Sequence, residues 1–490
     1  MDKLTPLKPV PSLCAVAAVL LIWFVIPVPE GVAPNAWHLL ALFIGTIIAI
    51  IGKAMPIGAV SVVAIALVAI TGVTNPGKPG AALEDALSGF SNQLIWLIGF
   101  SIMISFSLNK TGLGSRIGYY FISLFGKKTL GIAYALTLAE LTLAPVTPSN
   151  TARGGGIIHP IMKSIADSFG SRPELNSSGK IGRYLALVNY NINPVSSAMF
   201  ITATASNPLI VSLIAKGTGG SLELSWSMWA LAALVPGLCS LAAIPLVLYL
   251  LYPPEIKSTP DAPRFAREKL AALGPVTLPE KITLGVFALL LVLWAGIPAM
   301  IFGPAWLVNP TTAALIGLAV LLATGVLSWE DVLKHKGAWD TVVWFSALVM
   351  MASFLGKLGL IDWLSHSVGS GIDHMGMSWV GGAILLTAIY LYSHYFFASA
   401  TAHVTAMFAA FLAAGMTLGA PPALLGLILA FASSLMMSLT HYGTGTAPIV
   451  FGSGYVTLGE WWKTGFVVSV VNLLIWILIG GAWWKWLGYW

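Results

Sequence analysis

The segment Ala144-Pro145-Val146-Thr147-Pro148-Ser149-Asn150-Thr151-Ala152-Arg153-Gly154-Gly155-Gly156 lies in the middle of an otherwise apolar region of the chain. Its two prolines, three glycines and run of hydroxyl and amide side chains cannot continue an apolar helix. A second segment, Ser399-Ala400-Thr401-Ala402-His403, repeats the order Ser-x-Thr-Ala-cation about 250 residues later. The fold must therefore accommodate two matched polar breaks.

The composition is that of a polytopic membrane protein. Of the 490 residues, 57% are hydrophobic and 9% are charged, and the mean hydropathy is +0.88, whereas soluble domains contain about 25% charged residues. The net charge of +6 comes from basic residues scattered singly or in small loop groups, so no nucleic-acid partner is predicted. The two cysteines, Cys14 and Cys239, both lie in apolar runs, which argues against a disulfide framework.

Neither a metal site nor a cofactor is predicted. His159, His394 and His441 lack the spacing of metal ligands and are interpreted as structural. Lys3 and Lys8 precede the first apolar run, which is predicted to be a retained first span because no cleavage pattern follows it.

The predicted fold class is all-α, with about eleven transmembrane helices. Apolar segments of roughly 17 to 25 residues are long enough to cross a bilayer as helices. The predicted cores are 13–29, 36–52, 56–72, 94–109, 184–203, 228–252, 281–299, 310–327, 341–356, 422–441 and 464–484. Two further apolar regions, about 129–168 and 379–413, are too long for one span and contain the polar breaks. Both are predicted to be re-entrant hairpins.

The basic residues indicate the orientation of the chain. With a cytoplasmic N-terminus, 19 of the 24 lysines and arginines lie on the cytoplasmic side and four outside, and Arg153 lies in the first break. This asymmetry is the one that membrane proteins show, and it is lost if either hairpin crosses the bilayer completely. Each hairpin is therefore predicted to return to the side from which it enters, with the C-terminus outside.

An internal repeat gives a second constraint. Six residues find counterparts 240 to 250 positions later, in the same order. The pairs are Trp96 and Trp344, Lys110 and Lys357, Gly112 and Gly359, Ser149 and Ser399, Thr204 and Thr444, and Pro208 and Pro448. The predicted organisation is a first repeat over 1–252, a cytoplasmic linker over 253–280 and a second repeat over 281–490. Each repeat holds one hairpin and one interrupted span, at about 184–215 and about 422–452. The hairpins open to opposite sides, so the repeats are inverted.

The breaks have the chemistry of an anion site. Helices that restart at Thr151 and Thr401 would present free N–H groups and a positive dipole end, and hydroxyl and amide groups also donate hydrogen bonds to carboxylates. The predicted substrate-binding residues are Ser149, Asn150, Thr151, Ser399, Thr401, Thr444 and Thr446. The interrupted spans are predicted to line the same cavity with Thr204, Ser206, Asn207, Pro208 and Pro448, or else to serve packing alone. Two facing tips would hold the two ends of a dicarboxylate.

Two cationic side chains follow the breaks at matching positions. An ionisable group inside a membrane is costly and usually functional, so Arg153 and His403 are predicted to compensate the charge of the substrate. The alternatives are an arginine that extends its head group to the cytoplasm and an ordinary core histidine. Glu140, on the first arm of the hairpin, is interpreted as a neutralising partner for a nearby cation.

These segments resemble the divalent anion:sodium symporter family. The resemblance is carried by Leu143 to Gly156, by Phe396 to His403 and by Tyr442 to Tyr455, and it is greatest to the bacterial antiporters of 2-oxoglutarate, malate, citrate, tartrate and succinate. It implies a homodimer in the bacterial inner membrane, with a di- or tricarboxylate substrate and an elevator-like movement of a transport domain. The family's Ser-Asn-Thr motifs bind substrate carboxylates and help to form sodium sites. Ala400 departs from this pattern, because the second motif lacks its asparagine.

The departure at Ala400 leads to a hypothesis about coupling. Sodium ions can neutralise a dianion and then leave, whereas a tethered arginine must cross with the transport domain, unpaired when the site is empty. Tethered cations therefore favour obligate exchange without sodium. The alternative is a sodium-coupled di- or tricarboxylate symporter. A channel and an intramembrane enzyme are further alternatives, but an enzyme has no need of two inverted copies of its site.

Overall fold

The computed structural model of the chain describes residues 8–360, 363, 378–397 and 399–490. Lys3 and Ala398, which enter the predictions above, lie outside the described residues. Within these ranges the secondary structure is helical, apart from an isolated antiparallel bridge between Lys128 and Ser258. The all-α class agrees with the prediction.

The helices follow one another through the described residues. In the first half they are α1 (Pro9–Leu20), α2 (Pro34–Ile51), α3 (Ile57–Thr71), α4 (Pro79–Leu87), α5 (Gln93–Thr111), α6 (Leu113–Phe125), α7 (Thr129–Leu143), α8 (His159–Ser168), α9 (Gly182–Met199), α10 (Ser206–Gly217), α11 (Trp226–Leu251) and α12 (Ala262–Ala272). In the second half they are α13 (Leu278–Trp294), α14 (Ile297–Phe302), α15 (Pro310–Ala323), α16 (Trp329–Lys334), α17 (Lys336–Lys357), α18 (Trp379–Tyr392), α19 (Ala400–Thr417), α20 (Pro422–Leu435), α21 (Thr446–Gly452), α22 (Leu458–Leu474) and α23 (Gly481–Trp486).

Seven helical segments of the described residues are long and apolar enough to cross a membrane, judged by length and composition. They are Pro34–Ile51, Gln93–Thr111, Thr129–Val146, Trp226–Leu251, Lys336–Lys357, Ala400–Thr417 and Leu458–Trp486. Two of them, Thr129–Val146 and Ala400–Thr417, belong to the predicted hairpins. The architecture is that of a polytopic membrane protein, whereas the number of eleven spans and the re-entrant course of the hairpins stay predictions.

The first polar segment separates two helical arms. α7 ends at Leu143, a 3₁₀ turn covers Ala144–Val146, and Thr147 is extended with φ −123° and ψ 91°. Proline has no backbone N–H to donate, so Pro145 and Pro148 favour this interruption. Helix resumes at Asn150, one residue before the predicted start, and runs through a π-helical segment, Thr151–Ile158, into α8.

The second polar segment has the same construction. α18 is followed by a 3₁₀ turn, Ser393–Phe396, and α19 begins at Ala400, again one residue before the predicted start. Ser399 is extended, with φ −153° and ψ 127°. The two arms therefore restart at equivalent residues of the two motifs.

Both predicted interrupted spans are also broken in the structure. α9 ends at Met199, and a 3₁₀ turn, Ile201–Ala203, and extended Thr204 separate it from α10. α20 runs into a 3₁₀ turn, Met436–Ser438, and helix resumes only with α21 at Thr446. α9 packs against α7, α8, α11 and α20 and is buried along nearly its whole length. This helix brings the first hairpin and both interrupted spans together.

Candidate functional site: a polar cavity between the two hairpins

A cavity of about 250 Å³ lies where the four breaks meet. Its lining consists of Ile102, Pro148, Ser149, Asn150, Thr204, Ala205, Thr341, Ser399, Ala400, Thr401, Met437, Thr444 and Gly445. Among these described residues none is charged, and the polar groups are hydroxyls and one amide. Both hairpin tips, the first interrupted span and the second interrupted span thus contribute to a single polar cavity.

Each motif serine caps the helix that starts at the cavity. Ser149 Oγ accepts the N–H of Ala152 at 3.2 Å, and Ser399 Oγ accepts the N–H of Ala402 at 3.3 Å. A hydroxyl that accepts one bond keeps its own O–H for donation. Two helix N-termini therefore present N–H groups, hydroxyl donors and partial positive charge to the same space.

Asn150 connects the first hairpin tip to the second interrupted span. Its Nδ2 donates to Thr444 Oγ1 at 2.8 Å and lies 3.5 Å from Met437 Sδ. Its backbone oxygen accepts from Asn193 Nδ2 of α9 at 3.1 Å. The residue therefore both lines the cavity and fixes one wall against the other.

Arg153 lies behind the tip, fully buried. Its Nε donates to Glu140 Oε1 at 2.6 Å, so the two residues form an ion pair with no exposed side-chain surface. Both terminal nitrogens are engaged as well. Nη1 donates to the backbone oxygens of Thr147 at 2.7 Å and Ala203 at 3.0 Å, and Nη2 donates to the hydroxyls of Ser196 at 3.2 Å and Ser197 at 2.9 Å. The guanidinium thus holds the first break, α7, α9 and the break before α10 together.

The ion pair corrects one prediction and confirms another. Arg153 is not among the described residues that line the cavity, and its charge is already balanced by Glu140. The assumption that this arginine is unpaired when the site is empty is therefore wrong. The sequence does not reveal the pair, since it does not show that α7 turns Glu140 towards Arg153. The interpretation of Glu140 as the partner of a cation is confirmed.

His403 is also fully buried and is not among the described residues that line the cavity. Its Nδ1 lies 3.1 Å from His394 Nδ1 and its Nε2 lies 3.3 Å from Ser393 Oγ. Its ring stacks on Phe397 with centroids 4.5 Å apart, and the ring of Tyr390 lies at 4.6 Å. Like Arg153, it supports a hairpin tip from behind.

The other predicted residues divide into lining and supporting groups. Ser149, Asn150, Ser399, Thr401, Thr444 and Thr204 line the cavity. The residues that are not in the described lining are Thr151, Thr446, Ser206, Asn207, Pro208 and Pro448. Asn207, for example, donates to the backbone oxygens of Ser197 at 2.7 Å and Phe200 at 2.8 Å, and so stabilises the break before α10.

Comparison with known proteins identifies the family. The family model described as "Sodium:sulfate symporter transmembrane region" matches residues 8–490. The chain belongs to this sodium:sulfate symporter family. The predicted resemblance to the divalent anion:sodium symporters is thereby confirmed, and the chain is a transporter and not an enzyme.

Relatives within the family cover nearly the whole chain. "Putative malate transporter YflS" of Bacillus subtilis is 51% identical over 488 residues, which are 100% of this chain and 98% of the relative. "Dicarboxylate transporter 1, chloroplastic" of Spinacia oleracea is 45% identical over 98% of this chain and 82% of the relative. Among solved structures, the Alcanivorax borkumensis YdaH transporter has a TM-score of 0.58 at 12% identity, covering 89% of this chain and 99% of that chain. The last likeness concerns the fold alone.

The sequence of this symporter-family member does not predict several of the residues that line the cavity. Ile102 in α5 and Thr341 in α17 lie within ordinary apolar helices, without a break to mark them. Met437 and Gly445 lie in the second interrupted span and were detectable only as part of that break. Gly445 is required for packing, since a Cβ atom there would lie 2.5 Å from Thr151 Oγ1.

The Thr444→Val variant tests whether the hydrogen bond between Asn150 and Thr444 contributes to anion binding by this symporter-family member. Valine keeps the shape but leaves the Asn150 amide without its oxygen acceptor, which costs about 1–3 kcal/mol in a buried site. We expect KM for the transported anion to rise at least about fivefold. Thr137→Val is the matched control, because within the described part of the chain the hydroxyl of this buried threonine bonds only to Ala133 O of its own helix. Equal KM values for the two variants would contradict the role of Thr444.

Proposed function

We propose that this protein transports dicarboxylates such as 2-oxoglutarate, malate or succinate across the bacterial inner membrane, by exchange and without sodium. The observation that carries the proposal is the convergence of two capped helix N-termini, at Ser149 and Ser399, on one cavity with an uncharged donor lining. Each N-terminus is equivalent to about half a positive charge. A linear dianion matches two such ends, with one carboxylate at each tip.

The size of the cavity supports a small substrate. Its volume of about 250 Å³ is below the range of roughly 300–1,000 Å³ that is typical of sites for drug-sized ligands. The names of two relatives, a malate transporter and a dicarboxylate transporter, agree with a small dicarboxylate. The absence of charged side chains among the described lining residues also favours an anion held by N–H and O–H donors.

Independence from sodium is supported by the surroundings of Arg153. The oxygens of Thr147 and Ala203 accept from Arg153 Nη1 and that of Glu140 accepts from Nε, and such carbonyl and carboxylate groups are suitable ligands for a hard cation. All three oxygens are already hydrogen-bonded to the guanidinium. At the second tip, Ala400 supplies no side-chain oxygen. A tethered cation thus already uses oxygens that could bind a sodium ion behind the first tip.

Obligate exchange needs a different electrostatic reason from the one that the sequence suggests. The Arg153–Glu140 pair is neutral, so it adds no net charge to an empty transport domain. The two helix N-termini remain uncompensated without substrate, and together they amount to about one positive charge. Moving them through a low-dielectric barrier without an anion is costly. We therefore propose that exchange is obligate because the two helix N-termini at the cavity need a bound anion to cross the membrane.

A second cavity supports access from the cytoplasm. It has a volume of about 280 Å³ and shares Ile102, Ser149 and Thr341 with the first cavity. It continues to Asn109 near the end of α5 and to His335 before α17. Both ends lie on the side that the basic residues assign to the cytoplasm. We propose an inward-facing state of an inverted-repeat homodimer, with an elevator-like movement of the hairpins, a cytoplasmic N-terminus and an outside C-terminus.

Binding to the purified protein tests the substrate class and the sodium claim together. We expect succinate or malate to raise the unfolding temperature by the same amount in sodium-free potassium buffer and in sodium buffer, because the site binds its ligand with protein groups alone. A monocarboxylate of similar length serves as the control and should have little effect. Stabilisation that requires sodium would favour the sodium-coupled symporter. Stabilisation by the monocarboxylate alone would contradict the two-ended site.

A further inference from the structure

Two buried histidines connect the second hairpin to the second interrupted span. His394 lies in the 3₁₀ turn that ends the first arm, and His403 lies in the first turn of α19. Their Nδ1 atoms are 3.1 Å apart, and His394 Nε2 lies 3.2 Å from the backbone oxygen of Gly443. Both side chains are fully buried. A continuous hydrogen-bonded path therefore runs from α19 to the break before α21.

The partners fix where the protons of this path lie. A backbone oxygen can only accept, so His394 Nε2 carries a hydrogen and donates it to Gly443. The Nδ1 of the neutral His394 ring must then accept, which makes His403 Nδ1 the donor. Two neutral rings with opposite tautomers satisfy every bond of the path. A hydrogen on both Nδ1 atoms would place two donors face to face.

The first half of the chain makes the same connection with different atoms. Arg153 donates to the backbone oxygen of Ala203, the residue immediately before Thr204. The histidine path reaches the backbone oxygen of Gly443, the residue immediately before Thr444. In each half, the residue at the cation position of the motif thus bonds, directly or through His394, to the carbonyl that precedes a cavity threonine.

We infer that His394 is a positioning residue for the substrate site, acting with His403 as a relay that holds Gly443 and thereby sets Thr444 against Asn150. The contact is close, since a Cβ atom on Gly443 would lie 2.7 Å from His394 Nε2. Thr444 then offers its oxygen to Asn150 Nδ2 at 2.8 Å in the cavity wall. This inference rests on the proposed function, because it assigns His394 a part in dicarboxylate binding.

The His394→Phe variant removes both ring nitrogens and keeps a ring of similar size. We expect KM for the dicarboxylate to rise about tenfold, while Vmax changes less, because the substrate contacts remain but Thr444 is no longer held. His394→Gln should restore most of the affinity, since its amide has one donor side for Gly443 and an acceptor for His403. His159→Phe is the control, at a buried histidine in the first hairpin, and should leave KM unchanged.

A double-mutant cycle separates positioning from general loss of structure. If His394 acts through Thr444, adding His394→Phe to Thr444→Val should raise KM by less than about twofold, because coupled residues are not additive. A further tenfold rise in the double variant would overturn the inference. So would a His394→Gln variant that is no better than His394→Phe.

A measurement without transport distinguishes failure of the relay from failure of the proposed function. The ¹⁵N NMR spectrum of histidine-labelled protein should show the Nε2–H tautomer at His394 and the Nδ1–H tautomer at His403, assigned by comparison with the His394→Phe and His403→Phe variants. Any other tautomer pair would overturn the relay, whatever the substrate. The expected tautomers in a protein that neither binds nor exchanges a dicarboxylate would refute the proposed function and the role of His394 in substrate binding.

Discussion

Replacing Arg153 with alanine is expected to abolish exchange and to lower the free energy of unfolding by about 3–5 kcal/mol, the usual cost of removing one partner of a buried ion pair. The variant leaves Glu140 charged in a fully buried position. It also removes the donors to Thr147 O and Ala203 O, which hold the first hairpin tip to the break before α10. Proteoliposome exchange and thermal unfolding of the purified variant measure the two effects.

A double variant separates the two roles of this arginine. Arg153→Met with Glu140→Gln removes both charges and should recover much of the stability, because no buried charge is left unpaired. Exchange should stay low, since the two breaks are still not held together. Arg183→Ala is the control for a half-exposed ion pair, with Glu460 at 2.9 Å, and should exchange normally. Full exchange by Arg153→Ala would show that the guanidinium is not needed at the site.

Placing a carboxylate at Ala400 should have the second large effect. Ala400 is the first residue of α19 and lines the cavity. An aspartate there would face the bound dianion, and a like-charge contact of this kind costs several kcal/mol. We expect the exchange rate at low substrate concentration to fall about 100-fold or more. Folding should be maintained, because an acidic side chain in the first helical turn is favourable.

The matched control for Ala400→Asp is Thr312→Asp. Thr312 is exposed and lies in the first turn of α15, a helix capped by Asn309 away from the cavity. It adds the same charge at a helix N-terminus, so it should leave exchange unchanged. Normal exchange with Ala400→Asp, measured at substrate concentrations below KM, would mean that the anion does not lie between the two tips.

The parts of the site that sequence reasoning found are those where the backbone is broken. Ser149 stands out because proline, glycine and hydroxyl residues interrupt apolar sequence, and Ser399 because its segment repeats the same Ser-x-Thr-Ala-cation order; both lie at the cavity. Thr204 and Thr444 were found for the same reason. A break in an apolar helix leaves backbone groups that need partners, so it marks a polar cavity. Thr341, within an unbroken helix, leaves no such mark.

The sequence does not show in which direction the side chains of the site point. Arg153 and His403 follow the tips at matching positions, yet both point to the back of their hairpins, towards Glu140 and His394. Which face of a π-helical segment or of α19 meets the cavity depends on packing against α9 and the interrupted spans. The sequence therefore indicates Glu140 as a partner for a nearby cation, but only the structure shows that this cation is Arg153.

The fold, too, is predicted in part by the sequence. Hydropathy predicts the all-α class and the positions of both hairpin breaks, whereas each second arm begins one residue before the predicted start, at Asn150 and Ala400. The difference arises because Ser149 and Ser399 cap their helices and so precede the first helical residue. Capping geometry depends on a single hydroxyl, which a hydropathy pattern does not resolve.

The uptake of radiolabelled succinate or malate by proteoliposomes in sodium-free buffer tests the central claim most directly. Vesicles are loaded with the same unlabelled dicarboxylate or with buffer alone, and a sodium gradient is added in a parallel set. We expect rapid uptake into loaded vesicles, little uptake into empty ones and no effect of sodium. Equal uptake into empty vesicles, or uptake that depends on the sodium gradient, would contradict it.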